Sequence, residues 1–370
     1  MPKCNILHNH ASLNINGHWQ PCCVFDSRHR GPTIGNLREY RSSTHFQNIV
    51  NTMYQEDQWH PGCQRCKDDE NVGKIGFRDK ANHTLSGIPD RIEYVELSVS
   101  NQCNLSCKMC GPWSSSKWAE IVDKEPMIQK WHQPTQHRPA MSISEIFNGI
   151  DTSHVTRIKY LGGEPFITKE LGELFSFLDE KHLVEKIEFE CNTNGTLFPR
   201  KHVDFLNRFS SIDIKISIDG IGPLANYIRT GFDWDRVLEV LLQWSEYSKW
   251  RMNNIGNSNI SFYTVIQAYN IHQISEIMRF GQSLGFQTHG AFIVKPEHLS
   301  LNALPEDYLL GITSKLENDQ TTPSYITKKL KQLVHDRDLF NRLKEYTLAA
   351  DQSMQTSIAD TIPELFSFFK

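Results

Sequence analysis

From Tyr94 onward the chain switches repeatedly between two hydrophobic periods. Short runs rich in β-branched residues, several with apolar side chains at every second position, predict strands at Tyr94–Ser100, Val155–Gly163, Val184–Thr193, Ile212–Asp219, Ile260–Gln267 and Thr288–Val294. Between them, amphipathic stretches predict helices at Ser114–Asp123, Ser142–Ile150, Glu170–Glu180, His202–Phe209, Trp234–Tyr247 and Gln273–Leu284. Strands separated by crossovers of helical length imply βα units and a parallel sheet. Six such units fit either an open barrel or a doubly wound sheet. Residues 1–85 differ: they are rich in His, Asn, Gly and turn dipeptides, with one short helix predicted near His45–Tyr54. Residues 300–370 show no strand pattern and read as helical. Their apolar end, with Leu365, Phe366, Phe368 and Phe369, is expected to dock on the rest of the fold. The expected organisation is therefore 1–85, 86–299 and 300–370.

Composition narrows the class. The 370 residues carry 39 Lys+Arg against 43 Asp+Glu, a net charge of −4, with 39% hydrophobic and 22% charged residues, which excludes wholesale disorder. No apolar stretch approaches the ~18 residues a membrane helix needs, so no membrane partner is expected. The start MPKCNILHNH lacks an apolar h-region, which points to the cytoplasm. The slightly negative charge speaks against broad attraction to phosphate backbones, so nucleic acid is not an expected partner.

The nine cysteines are the main chemical signal. Cys4, the pair Cys22-Cys23, and Cys63-x2-Cys66 lie in the first 70 residues; Cys103-x3-Cys107-x2-Cys110 follows the first predicted strand; Cys191 stands alone and reads as a buried structural thiol. In a cytoplasmic chain, clustered cysteines indicate metal chemistry before disulfides. Three thiolates on one loop suit a soft metal or an iron–sulfur cluster, and three ligands on four irons leave one iron open. His8, His10, His18 and His29 read as solvated loop residues.

In this order and at these strand ends, the motifs resemble those of the radical SAM superfamily, whose signature is C-x3-C-x2-C. LGGEP (Leu161–Pro165), CNTNGT (Cys191–Thr196), ISIDG (Ile216–Gly220) and YIRTG (Tyr227–Gly231) each match a family segment, and the match runs from about Tyr94 to Val294. The resemblance implies a partial (β/α)6 TIM-like barrel of α/β class, flanked by a small N-terminal cysteine-rich domain and a C-terminal helical extension. It implies a [4Fe-4S] cluster on Cys103, Cys107 and Cys110, with S-adenosylmethionine (SAM) bound at its open iron. Gly162, Gly163 and Glu164 then contact the methionine amino group, and Ser217 the ribose. Asp219 either does the same or caps the following turn. Arg229 neutralises the SAM carboxylate. Met109 stands where the family often has an aromatic residue and remains an adequate apolar partner for adenine.

The N-terminal cysteines, with Gly17 and the segment Ile34–Asn36, resemble a SPASM or twitch domain, here preceding the barrel. That implies a second, auxiliary [4Fe-4S] cluster held by Cys4, Cys22, Cys63 and Cys66, with Cys23 spare or exchanging with Cys22. A structural zinc site is the plain alternative. The reaction implied is reductive cleavage of SAM and hydrogen abstraction from a peptide or protein. A sugar, nucleotide or RNA substrate, or a noncatalytic metal-binding role, are the alternatives. A flavodoxin or ferredoxin is the implied electron donor. The sequence does not choose between Asp219 and an acidic residue of the tail as a general base.

Overall fold

The computed structural model describes residues 2–31, 35–71, 73, 75–132 and 141–370. The chain forms two compact units, one of Met1–Ser100, His137–Cys191 and His202–Ile212, the other of Asn101–Gln136, Asn192–Lys201 and Asp213–Lys370. Together they form an α/β fold with mostly parallel strands, as the periodicity predicts. Among the described residues no helix is long and apolar enough to cross a membrane.

Strands of the first unit are β1 (His10–Leu13), β2 (Trp19–Gln20), β3 (Tyr94–Ser98) and, beyond the two-residue β4 (Ser106–Cys107) of the second unit, β5 (Arg157–Leu161) and β6 (Glu188–Thr193). β3 pairs in parallel with β5, and β5 with β6. The helix Lys169–Glu180 buries Leu171, Leu174, Phe175 and Leu178, the i, i+3, i+4, i+7 stripe that its sequence predicts. Phe175 meets Phe189 and Phe209 edge-on, with ring centroids 5.2 and 5.3 Å apart. Cys191 is fully buried, as read from the sequence.

The first 85 residues are more ordered than their pattern suggests. The helix predicted near His45–Tyr54 is Thr44–Tyr54, joined by Leu37–Ser42, Gln64–Asn71 and Phe77–Thr84. β1 is a further parallel neighbour of β3, with His10 opposite Tyr94 and Leu13 opposite Leu97, and β2 folds back antiparallel on it. His10 is consequently buried, not solvated, and its Nδ1 lies 3.3 Å from the Pro21 carbonyl oxygen.

In the second unit β7 (Ser211–Ser217), β9 (Ser258–Ile266) and β10 (Thr288–Phe292) are hydrogen-bonded neighbours in that order, while the two-residue β8 (Arg229–Thr230) pairs with β4. β7 buries Ile212, Ile214 and Ile216 and leaves Asp213, Lys215 and Ser217 half-buried, a period of two. Helix Ile274–Ser283 crosses between β9 and β10 on Ile274, Ile277, Met278 and Gly281. At Gly281 a Cβ would fall 2.3 Å from Thr288 Oγ1, so only glycine allows the helix to approach this closely. Residues 300–370 are helical, with Glu306–Glu317, Ser324–Leu330 and Arg337–Met354 the longest pieces. Leu365 and Phe369 are buried in the same apolar cluster as Leu299, Leu304 and Tyr346, Phe366 packs against it, and Phe368 is exposed.

Candidate functional site

The cysteine triplet sits on the loop that follows β3, and the next helix ties it down. Ser115, at the N-cap of Ser116–Lys124, donates to the Leu105 carbonyl at 2.5 Å. Ser116 Oγ accepts from the Cys103 amide at 3.2 Å, and Trp118 Nε1 donates to the Cys107 carbonyl at 2.7 Å. Cys107 is buried and Cys103 and Cys110 are half-buried.

The short ladder of β4 and β8 sets Cys107 opposite Arg229. Arg229 Nη1 lies 3.8 Å from Cys107 Sγ, and its Nη2 donates to Asp219 Oδ2 at 2.5 Å. Asp219 is fully buried and also accepts from the Val265 amide at 2.7 Å. Burial pushes the Asp219 carboxyl up, and the guanidinium opposes that shift. Cys107 donates toward Cys110 and, with help from Ser114 and Arg229, holds the Cys110 thiol below its ordinary range. The same hydrogen bond, with burial, pushes the Cys107 thiol up, so the pair favours a thiolate at Cys110.

The structure thus gathers Cys103, Cys107, Cys110, Asp219 and Arg229 in one unit. Ser217 ends β7 two residues before Asp219, half-buried, while Met109 packs against the apolar cluster. Asn194, in the CNTNGT segment, was not singled out as a site residue. Its Nδ2 donates to Asn104 Oδ1 at 2.8 Å and lies 4.0 Å from Cys103 Sγ. The signal that could have found it was the motif itself.

In the first unit, Gly162 and Gly163 follow β5. Gly162 has φ +140°, and a Cβ there would lie 2.3 Å from the Ser100 carbonyl oxygen, which also accepts the Gly163 amide at 2.9 Å. Glu164 is fully buried and caps the short helix Pro165–Ile167, accepting from the Phe166 amide at 3.2 Å.

Cys4, Cys22, Cys63 and Cys66 all line one pocket of the first unit, with Phe25, Met53, Trp59, Phe77 and Arg78 among its walls. Cys23 points elsewhere, beside Glu96 and Lys159. Burial pushes the thiols of Cys4 and Cys63 up to about 12, with Arg78 pulling the other way. Arg78 is anchored by Glu70 at 2.6 Å. Of the segment Ile34–Asn36, Ile34 lies outside the described residues, and Asn36 caps Leu37–Ser42. Among the described residues no three His, Cys, Asp or Glu side chains gather tightly enough for a single metal ion. A four-iron cluster takes one thiolate per iron and spaces them more widely, so the fit rests on the donor sets: three thiols on one loop, four around one apolar cavity.

Comparison with known proteins gives the same direction. Residues 97–281 match the sequence profile of the Radical SAM superfamily. GTP 3',8-cyclase of Alkaliphilus oremlandii (strain OhILAs) is 26% identical over 153 residues, covering 40% of this chain and 42% of that protein. The radical SAM cyclopropyl synthase TigE of Paramaledivibacter caminithermalis is 26% identical over 211 residues, 52% of this chain and 43% of that protein. The chain spans less than half the length of these relatives. The crystal structure of Streptococcus suis SuiB bound to S-adenosylmethionine superimposes with a TM-score of 0.38 at 14% identity, over 78% of this chain and 61% of that one.

Proposed function

The chain belongs to the Radical SAM superfamily, whose enzymes work with a [4Fe-4S] cluster and SAM, and on that premise we propose that it acts on a nucleotide by hydrogen abstraction. The observation that carries the reading is the loop of Cys103, Cys107 and Cys110 with Arg229 against Cys107. When bound, the cluster supplies the electron that cleaves SAM to a 5′-deoxyadenosyl radical. The chain's own residues do the rest. The three cysteines hold the cluster, and Arg229 and Asn194 set the charge and hydrogen bonding around the thiolates. Gly162 and Gly163 allow backbone close to the SAM methionyl group, Glu164 and Ser217 offer acceptors, and Met109 supplies apolar contact. Asp219 acts on SAM through Arg229.

The nucleotide assignment draws on the relatives named GTP 3',8-cyclase. In the same reading, residues 1–85 form a SPASM- or twitch-like domain with a second cluster on Cys4, Cys22, Cys63 and Cys66. Support for it is the convergence of those four thiols, and not Cys23, on one cavity. Residues 86–299 form the partial barrel and 300–370 a helical extension. The enzyme works in the cytoplasm and takes electrons from a flavodoxin or ferredoxin.

The test is anaerobic reconstitution of the wild type and of a Cys103/Cys107/Cys110→Ala variant. Iron, sulfide and zinc are measured, with 5′-deoxyadenosine formed from SAM under reduction in the presence of GTP, ATP or a peptide mixture. The variant is expected to lose about four irons per chain, and deoxyadenosine is expected from the wild type alone, fastest with a nucleotide. Stimulation by peptide alone overturns the nucleotide assignment. Zinc in the N-terminal cavity overturns the auxiliary cluster, and a fully loaded wild type that never cleaves SAM overturns the enzyme reading.

A further inference from the structure

Lys108 lies between Cys107 and Cys110 and plays no part in the reading above. Its side chain is fully buried, a state lysine rarely adopts unless paired. Nζ donates to Asp351 Oδ1 at 2.9 Å and to Thr356 Oγ1 at 3.0 Å, and sits 4.2 Å from the centre of the Tyr227 ring. The backbone of the same residue is held on both sides: its amide donates to the Ile228 carbonyl at 2.8 Å, and its carbonyl accepts from Tyr346 Oη at 2.5 Å. Asp351 and Tyr346 both belong to the helix Arg337–Met354, 243 and 238 residues further along the chain.

Stability alone is a poor reason for this arrangement, because desolvating two charges offsets most of their attraction and an apolar pair of similar volume stabilises as well. What a directional pair adds is position. Consecutive Cα atoms are a fixed ~3.8 Å apart, so a residue held at its amide, carbonyl and ammonium also fixes Cys107 beside it and Cys110 two residues on. Thr230, next to Arg229, adds a contact to the same helix through Met354 Sδ at 3.4 Å.

We infer that Lys108 and Asp351 are positioning residues: the C-terminal helix sets the placement of the Cys107 and Cys110 thiolates through this buried pair. The inference rests on the reading that the triplet holds a cluster. It is tested with Lys108→Met, Asp351→Asn, the double variant Lys108→Met/Asp351→Asn, whose amide still offers the Ile358 amide an acceptor, and Glu345→Gln, which removes only an exposed pair with Lys130. Each reconstituted protein is followed for iron release to a chelator and for the electron paramagnetic resonance spectrum of the reduced cluster; thermal melts report the fold. Both singles and the double are expected to release iron about ten- to a hundredfold faster, with a shifted spectrum. The double is expected to melt near the wild type, because no unpaired charge is left behind, and Glu345→Gln to behave as wild type throughout. A double variant with wild-type spectrum and iron retention overturns the inference even if the singles fail to fold. A wild type that takes up no cluster at the triplet overturns the underlying reading instead.

Discussion

Replacing Asp219 by Asn removes a charge from a fully buried side chain while keeping its shape. The new amide can still accept from Val265, 2.7 Å away, but offers Arg229 a dipole in place of a carboxylate. Arg229 is 6% exposed and cannot recover water, and its Nη1 lies 3.8 Å from the Cys107 thiol. Breaking one side of a buried ion pair costs about 3–5 kcal/mol, a large fraction of the roughly 5–15 kcal/mol that holds a typical fold. Arg229→Met leaves Asp219 in the converse position and is expected to cost a similar amount. The double variant strands neither ion and is expected to be more stable than the sum of the singles predicts, with a coupling of about 1–3 kcal/mol. Urea unfolding of the reduced, cluster-free protein, followed by tryptophan fluorescence and far-ultraviolet circular dichroism, reads all four corners of the cycle. The outcome bears on function. On the proposed reading Arg229 meets SAM as part of a neutralised pair, so its loss is expected to weaken the fold as well as cofactor affinity. If Asp219→Asn unfolds within about 0.5 kcal/mol of the wild type, or the double equals the sum of the singles, Arg229 is not held by Asp219 and the geometric argument fails.

Three further outcomes follow from other parts of the structure. Burial holds the His132 and His298 imidazoles down to about 4, against 6.5 for an exposed ring. Between those values the unfolded chain binds protons that the folded chain refuses, so stability present above pH 6.5 is lost as pH falls through about 4. His298→Phe keeps a ring beside Tyr346 and is expected to remove on the order of 2–3 kcal/mol of that loss at pH 4; an unchanged slope of melting temperature against pH refutes it. Gly162→Ala forces a Cβ against the Ser100 carbonyl at positive φ and is expected to destabilise by about 1–3 kcal/mol, and a thermal melt equal to wild type contradicts that. Cys22→Ser is expected to reduce the iron bound at the N-terminal cavity while Cys23→Ser leaves it unchanged; the reverse pattern in an iron assay reassigns the ligand.

What the sequence made legible was whatever rests on periodicity within one element. Ile212, Ile214 and Ile216 alternate with half-buried polar residues along β7, and the spacing of Leu171, Leu174, Phe175 and Leu178 marks one helix face, so both elements could be placed to within a few residues. β1 could not. Its four residues, HASL, are all buried, and two of them are polar, because His10 and Ser12 find their partners on other segments: Pro21 and Glu96. A strand that buries polar side chains against distant partners shows neither alternation nor a continuous apolar run, and four residues are too few to reveal either. Trp250 shows the opposite case: a tryptophan suggests burial, yet it is 46% exposed, whereas Trp244 is fully buried on the same helix, Trp234–Asn254. The type of residue suggested burial, but the helix face decided it.

The site divides along the same line. The cysteine spacing and the strand-end motifs are local, and so candidate ligand sets could be proposed from the sequence. Their surroundings are not local. Arg78 reaches the cavity of Cys4, Cys22, Cys63 and Cys66 from a helix beyond all four, and Lys108 meets Asp351 across 243 positions. Nothing at position 108 marks that lysine as different from a solvated one, and lysine is mostly exposed. Only the fold supplies the carboxylate, the hydroxyl and the ring face that make its burial tolerable. The chemistry of a cluster site is carried by a few closely spaced ligands, while its geometry is carried by contacts distant in sequence. A C-terminal segment outside the cysteine motif can therefore still reach the loop that carries it: in this chain one ammonium and one carboxylate 2.9 Å apart make that link.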